Sequence, residues 1–299
     1  MPSRHLVRTV DQADFEVPSA YAALSRGFRR WTIVNGESGS VHQEFNICEL
    51  DPGGSIDPHI HSFEESIYVL EGQLICETRD GLFAMEDGDY GIIHVAAPHA
   101  YRNTGSVRTR WVEMLAPQPR ADREGDTYRV ASLGHTGPPA PIDPRDPRTR
   151  FFGNITPDHM NPGKQTQDLL AVSASMRTAL LVYSGITVKM MVDSDLGAYL
   201  ATMFMVQYEP AGVAGTHDHP FEETYLMLVG EVDAWFDGQD YRLKPGDVAW
   251  SGVGCVHGFR NPLDTTIRWL ETSAPQPPNR YAYRFWRDWD YLENALKAK

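Results

Sequence analysis

The sequence predicts an all-β protein of two tandem domains built to one design, and three observations carry that prediction. Compared with itself at a shift of 158 residues, the chain aligns residues 27–119 with 185–277 without a gap. Within each copy the apolar residues fall in short runs such as FNICEL, SIYVLEGQLICET and TYLMLVGEVDAWF, separated by the turn clusters DPGG, EDGD and LKPGD. Strands of that length and spacing build a sandwich or a closed barrel. Helical spacing is confined to residues 168–176 and to a tail over 281–299, where Phe285, Trp289 and Leu292 recur at helical intervals.

The expected division is an N-terminal domain over 1–119, a linker over 120–165 and a C-terminal domain over 166–299 that includes the helical tail. The linker is read from its proline, glycine and charge between 120 and 162, and it has the length to wrap a neighbouring domain. Exposed strand edges and an apolar tail are usually covered, so a homodimer or larger homo-oligomer is expected.

A formal net charge of −13 argues against a nucleic-acid partner, because phosphate binding needs clustered cations. No apolar run reaches the roughly 18–20 residues of a membrane helix, and the first ten residues lack the apolar core of a secretory signal. The expectation is a cytoplasmic protein acting on a small molecule, with no membrane partner. Cys48, Cys76 and Cys255 form no CxxC pair and are read as free thiols.

The chemistry concentrates where the two copies match best: HIHSFEES against HDHPFEET, HAYRN against HGFRN, and RWVEMLAPQP against RWLETSAPQP. Residues two apart on a strand share a face, so His59 and His61 point together into the first domain, as His217 and His219 do in the second. Glu65 and Glu223 follow from the next turn, and His99 and His257 arrive from a distant strand. Each domain thus gathers three imidazoles and a carboxylate, a workable shell for a divalent ion with positions left open for substrate. Glu64 and Glu222 repeat beside these residues, but alternation turns them outward.

This spacing resembles the two motifs of the cupin superfamily, G(X)5HXH(X)3,4E(X)6G and G(X)5PXG(X)2H(X)3N. The first copy matches the first motif at Gly53, His59, His61, Glu65 and Gly72. Its second motif keeps Gly88, His99 and Asn103 but carries His94 for the proline and Ala96 for the glycine. The second copy has Ala211 for the opening glycine, then His217, His219, Glu223 and Gly230, followed by Gly246, Gly252 in the proline position, Gly254, His257 and Asn261. All the departures fall on turns. The resemblance covers about two thirds of the chain and implies two small jelly-roll barrels, each with one divalent ion inside. Family precedent favours manganese or iron, with nickel, cobalt and zinc compatible with the ligand types.

Residues two away from a ligand on the same strand should line the pockets: Ile67, Val69, Ala97 and Tyr101 in the first, and Tyr225, Met227, Cys255 and Phe259 in the second. None is a cation, and Arg102 and Arg260 alternate outward, which favours an apolar or aromatic substrate over a dianion such as oxalate. Cys255 reads as a small wall residue, His94 as a solvated loop histidine, and Trp111 and Trp269 as inter-sheet core. The resemblance therefore suggests a metal-dependent bicupin dioxygenase acting on an enol, phenol or diketone, with Glu65 or Glu223 as proton acceptor and the second pocket as the site of chemistry. The alternatives are a non-oxidative decarboxylase, isomerase or hydrolase, and a bicupin that binds without catalysing.

Overall fold

Period-two alternation decides the architecture, as the strand Glu64–Glu71 illustrates. Its residues Ile67 and Val69 face the interior of the first barrel, whereas Tyr68 and Leu70 face away from it, into a different apolar cluster. In the second copy, Glu222–Val229 repeats the division: Tyr225 and Met227 point inward, Leu226 and Leu228 outward. A strand buried on both faces reads as a continuous apolar run, which is why these segments show little polar alternation. The computed structural model describes residues 3–164, 177–181, 185–276 and 284–285. Among them no helix is long and apolar enough to cross a membrane.

The first barrel hangs on the long strand Glu44–His61, which pairs antiparallel with Ser25–Val34, Thr109–Ala116 and His99–Arg102. It bends at the DPGG cluster, where Gly53 sits at φ 73°. The second copy breaks the corresponding stretch into Thr202–Tyr208 and Val213–Asp218, with Ala211 held at φ 61° between them. The fold is thus two tandem jelly-roll barrels, each with its own apolar interior. Between them lies a third apolar cluster, the largest, which joins Trp31, Phe45, Tyr68 and Met114 of the first copy to Met203, Leu226, Trp250 and Leu270 of the second. The two barrels therefore pack sheet against sheet and share one apolar core.

The chain also exchanges strands. His5–Arg8, which the sequence reading assigns to the first domain, pairs with Val248–Ser251 of the second barrel. Phe152–Asn154, from the expected linker, pairs with Asp89–Ile93 of the first. The last aspartate of each repeated turn cluster receives the incoming arm: Val10 N donates to Asp247 Oδ1 at 3.0 Å, and Asn154 Nδ2 to Asp89 Oδ1 at 2.7 Å. The linker adds two more strands to the first barrel, Thr127–Arg129 beside His59 and His61, and Ala140–Pro141 beside Phe83 and Ala84. It wraps the first barrel because its backbone groups complete sheet edges that would otherwise be left open.

Three expectations change at this level. Glu64 and Glu222 do leave their own barrels, but they are buried, not solvated. Glu64 accepts from Tyr199 N and Leu200 N, both at 2.9 Å, and Glu222 from Val41 N at 2.7 Å and Ser40 Oγ at 2.5 Å, so each carboxylate clamps a loop of the other barrel. His94 is half-buried and not a solvated loop residue: its Nε2 lies 3.0 Å from Gly197 O, and its ring meets Phe151 edge-on. Of the tail predicted as helix, Arg284–Phe285 are strand, paired with Asp218 and His217. The rest of that tail and the helix expected over 168–176 lie outside the described residues.

Candidate metal centres

Strand ends position the eight expected ligands. His59 and His61 close Glu44–His61, Glu65 is the second residue of Glu64–Glu71, and His99 opens His99–Arg102, directly across from His59 in the sheet register. The second barrel repeats this with His217, His219, Glu223 and His257, where His217 opposes His257. All eight are buried.

In the first barrel one ligand atom each from His61, Glu65 and His99 lies within 4.8 Å of the others. His61 Nε2 is 3.0 Å and His99 Nε2 3.2 Å from Glu65 Oε2. His59 joins through its ring, 4.1 Å from that of His99 between centroids. In the second barrel the three histidines His217, His219 and His257 form the close group. Glu223 Oε2 stands 2.7 Å from His219 Nε2 and 3.7 Å from His257 Nε2.

The other ring nitrogens settle the tautomers. Each of the six histidines places Nδ1 against a backbone carbonyl two residues away: His59 on Asp57, His61 on Phe63, His99 on Ala97, His217 on Gly215, His219 on Phe221 and His257 on Cys255, at 2.7–3.0 Å. A carbonyl only accepts, so Nδ1 carries a hydrogen, and in the neutral form of each ring Nε2 is the lone pair turned inward. Metal-binding histidines are oriented in this way. His61 and His219 are further held flat against Phe63 and Phe221, with centroids 4.1 and 4.0 Å apart.

The donors fit a divalent cation. Buried lone pairs facing a carboxylate oxygen at these distances repel unless a positive charge lies between them, and His59 Nε2 and His99 Nε2 are buried without a hydrogen-bond partner. Burial, with His99 nearby, drives the pKa of His59 well below that of a free histidine, and burial takes His217 down to about 3. Burial alone would raise Glu65 and Glu223, but the adjacent histidines outweigh it and hold both carboxyls well below the usual range. His219 moves the other way from His59 and His217: burial works to lower it, and Glu223 overcomes that and raises it. Imidazole nitrogen and carboxylate oxygen without thiolate form a donor set able to hold a divalent metal.

The expected pocket residues lie in the barrel interiors, Ile67, Val69 and Tyr101 in the first and Tyr225, Met227, Cys255 and Phe259 in the second, with Ala97 packed at the edge of the first. Tyr101 and Tyr225 do more than fill space. Tyr101 Oη donates to Glu65 Oε1 at 2.9 Å, and Tyr225 Oη to Glu223 Oε2 at 2.7 Å. The two tyrosines are not equivalent by the 158-residue shift, since Tyr101 aligns with Phe259 and Tyr225 with Ile67. Each barrel thus supplies a hydroxyl to its glutamate from a different strand. Burial pushes both phenols well above their ordinary pKa, so they remain donors. Trp111 and Trp269 are fully enclosed in the two interiors.

One expectation is overturned: the first interior does hold a cation. Arg30, on Ser25–Val34, is buried against the Tyr21 ring at 4.8 Å, with Nη2 2.5 Å from Glu113 Oε2. Tyr21 in turn meets the His59 ring edge-on at 5.5 Å. The signal was present, because Phe28 and Arg30 are two apart and therefore share a face. Glu113 and its counterpart Glu271 were also missed, although the RW-x-E repeat contains both. Burial, only partly offset by Arg30, raises Glu113 to about 8; burial also holds Glu271 well above the usual carboxylate range, with Trp269 Nε1 donating to it at 2.8 Å. Arg102 and Arg260 face outward as expected, on Glu77 and Asp233.

Comparison with known proteins matches the cupin domain model twice, over residues 46–115 and 204–273. Quercetin 2,3-dioxygenase of Bacillus subtilis (strain 168) is 23% identical over 257 residues, covering 76% of this chain and 72% of that protein. Among solved structures, the formate complex of Lactobacillus farciminis oxalate decarboxylase superposes with a TM-score of 0.62 at 14% identity, over 98% of this chain and 93% of that one. A putative glyoxylate-induced protein from Pseudomonas aeruginosa gives 0.64 at 18% identity, over 93% and 92%.

Proposed function

The chain belongs to the cupin superfamily as a two-domain member, a bicupin, and from that premise we propose that it is a metal-dependent dioxygenase. Its substrate in this reading is a neutral apolar or aromatic molecule with a chelating oxygen pair, such as an enol, a phenol or a β-diketone, bound in the second barrel. The observation that carries the reading is the interior of that barrel. Where the first barrel has Arg30 the second has Val188, packed against a cluster of Tyr225, Phe236, Phe259 and Trp269. Among the described residues these walls are aromatic and carry no guanidinium, which suits a ring better than a small dianion.

A divalent ion held by His217, His219, Glu223 and His257 would supply Lewis-acid stabilisation of a substrate enolate or phenolate. Manganese, named for the centres of a structural relative, Bacillus subtilis oxalate decarboxylase, and iron are our preferred ions, with nickel, cobalt and zinc compatible. Glu223 takes the substrate hydroxyl proton. Tyr225 and Ser273 hold its two oxygens, at 2.7 Å and 3.3 Å, so that the accepting oxygen is presented in one orientation. The surrounding rings exclude water and keep the substrate flat against the centre.

The test is metal analysis of protein purified without added ions, followed by oxygen-electrode assays with flavonols, catechols and β-diketones. Oxygen consumption matching substrate loss, abolished in His257→Ala and retained in His99→Ala, supports the reading. Turnover of the true substrate without oxygen removes it. Arg30 favours a second reading, in which the first barrel acts without oxygen on a carboxylate, as a decarboxylase, isomerase or hydrolase, with Glu65 as its proton acceptor. An anaerobic product lost in Arg30→Met would select that one.

A further inference from the structure

We propose that His5, Asp237 and Cys255 form a third metal site, separate from the two barrel centres and suited to a soft divalent ion such as zinc. One nitrogen of His5, one carboxylate oxygen of Asp237 and the sulfur of Cys255 lie within 4.8 Å of one another. They come from three separate places in the chain. His5 arrives on the exchanged N-terminal strand, Asp237 from the turn between Val232–Phe236 and Gln239–Leu243, and Cys255 from the loop ahead of His257.

The hydrogen bonds around His5 prepare it to bind a cation. Tyr241 Oη donates to Gln239 Oε1 at 2.9 Å, so it has no hydrogen left for the His5 Nε2 that lies 2.9 Å from it. His5 Nε2 must therefore be the donor in that pair, which leaves Nδ1 as a bare lone pair. His5 is only 9% exposed, and its Nδ1 has no hydrogen-bond partner. A buried, unsatisfied acceptor on a histidine grouped with a thiol and a carboxylate has the character of a ligand, and the Nε2 bond to Tyr241 is the kind of outer contact that orients ligating histidines. Asp237 is fixed in the same manner. Arg4 grips both of its oxygens at 2.8 and 3.1 Å, and Val256 N donates to Oδ1 at 3.0 Å.

Nitrogen, oxygen and sulfur together suit zinc or cobalt better than the manganese or iron expected in the barrels. Three protein ligands leave a fourth tetrahedral position for water or a small anion. Binding releases the Cys255 proton to solvent, so uptake is weaker in acid. The site also reaches the second barrel centre through stacked rings: His5 lies on Phe236 at 5.7 Å, and Phe236 on His257 at 5.9 Å. Its physical effect is to pin the exchanged arm to the barrel it covers.

Cobalt(II) titration of the full-length, metal-free protein tests this, because only a thiolate ligand gives sulfur-to-cobalt charge transfer in the near ultraviolet and the barrel centres have none. The expected result is a band whose final intensity corresponds to one thiolate-bound cobalt per chain, which vanishes in Cys255→Ala and persists in Cys76→Ala. His5→Gln and Asp237→Asn should each raise its half-saturation concentration by about tenfold or more. Absence of the band from cobalt-loaded wild-type protein overturns the proposal, as does its survival in Cys255→Ala. Should Cys255→Ala fail to fold, an unchanged half-saturation in both other variants overturns it as well.

Discussion

At the scale of single residues, the two candidate centres present the same side-chain types but differ in what surrounds the glutamate. In the second barrel, Tyr225 Oη lies within 3.1 Å of Glu223, His257 and Ser251 together, whereas Ile67 occupies the equivalent place in the first. Removing that hydroxyl frees Glu223 to rotate and leaves part of its charge unsatisfied. Tyr225→Phe should loosen metal in the second barrel by about tenfold and leave the first unchanged, read by competition with a chromogenic chelator; Tyr101→Phe should do the reverse. Acid should act on the metal-free protein through the same residues. His59 and His217 titrate lower when folded than the 6.5 of a free histidine. Between those values the unfolded chain binds more protons, so the stability these two rings contribute is complete above about pH 6.5 and is lost as the pH falls toward the folded pKa, about 3 for His217. The buried carboxyls Glu113 and Glu271, raised by burial, act in the opposite sense as the pH rises, so the rings are read directly: in chelator-treated protein the His59 and His217 imidazoles should remain neutral at pH 5 by NMR. Imidazolium signals from both at pH 5 in the folded protein would contradict this.

At the scale of elements, two of the departures from the family motifs, Ala96 and Ala211, are sites of backbone strain. Ala211 and Ala96 occupy the left-handed region, at φ 61° and 59°, where the matching positions in the other copy are Gly53 and Gly254, at 73° and 70°. A Cβ in that region costs about 1 kcal/mol or more, and part of that gain is lost to the greater freedom glycine has in the unfolded chain. Ala96→Gly and Ala211→Gly should each stabilise the protein by about 0.5 kcal/mol, measured by denaturant unfolding, with no change in metal content. The turns keep their shape despite the alanines because the flanking strands hold them. Asn103 and Asn261 contribute through their side-chain amides, which donate to the backbone of Leu50 and Val107 in one copy and of Glu209 and Thr265 in the other.

At the scale of the whole molecule, the two barrels are not independent units joined by a tether. They share the largest apolar core, exchange edge strands, and clamp one another through Glu64 and Glu222. A chain ending at residue 119 would expose Trp31, Phe45, Tyr68 and Met114 together and would lack the strand that covers Asp89–Ile93. Exposed apolar patches of that kind drive association. Such a fragment should aggregate or fail to fold cooperatively when expressed alone, and co-expression with residues 120–299 should restore soluble material. A soluble fragment with a sharp melting transition would contradict this account.

The amino-acid sequence alone determined the strand-rich architecture, its duplication and the eight side chains gathered in two groups. All of these rest on local regularities, the two-residue period of a strand and motif spacings repeated at a constant shift. What lies between distant segments was decided only by tertiary structure. Arg30 gained a place in the first interior because a strand far from the motifs packs there, and Glu64 and Glu222 found their amide partners in the opposite barrel. The arms at His5–Arg8 and Phe152–Asn154 lie outside the 158-residue alignment, so self-comparison could not reveal their exchange. Alternation tells which way a side chain points, but the partner waiting there depends on contacts made across the whole chain.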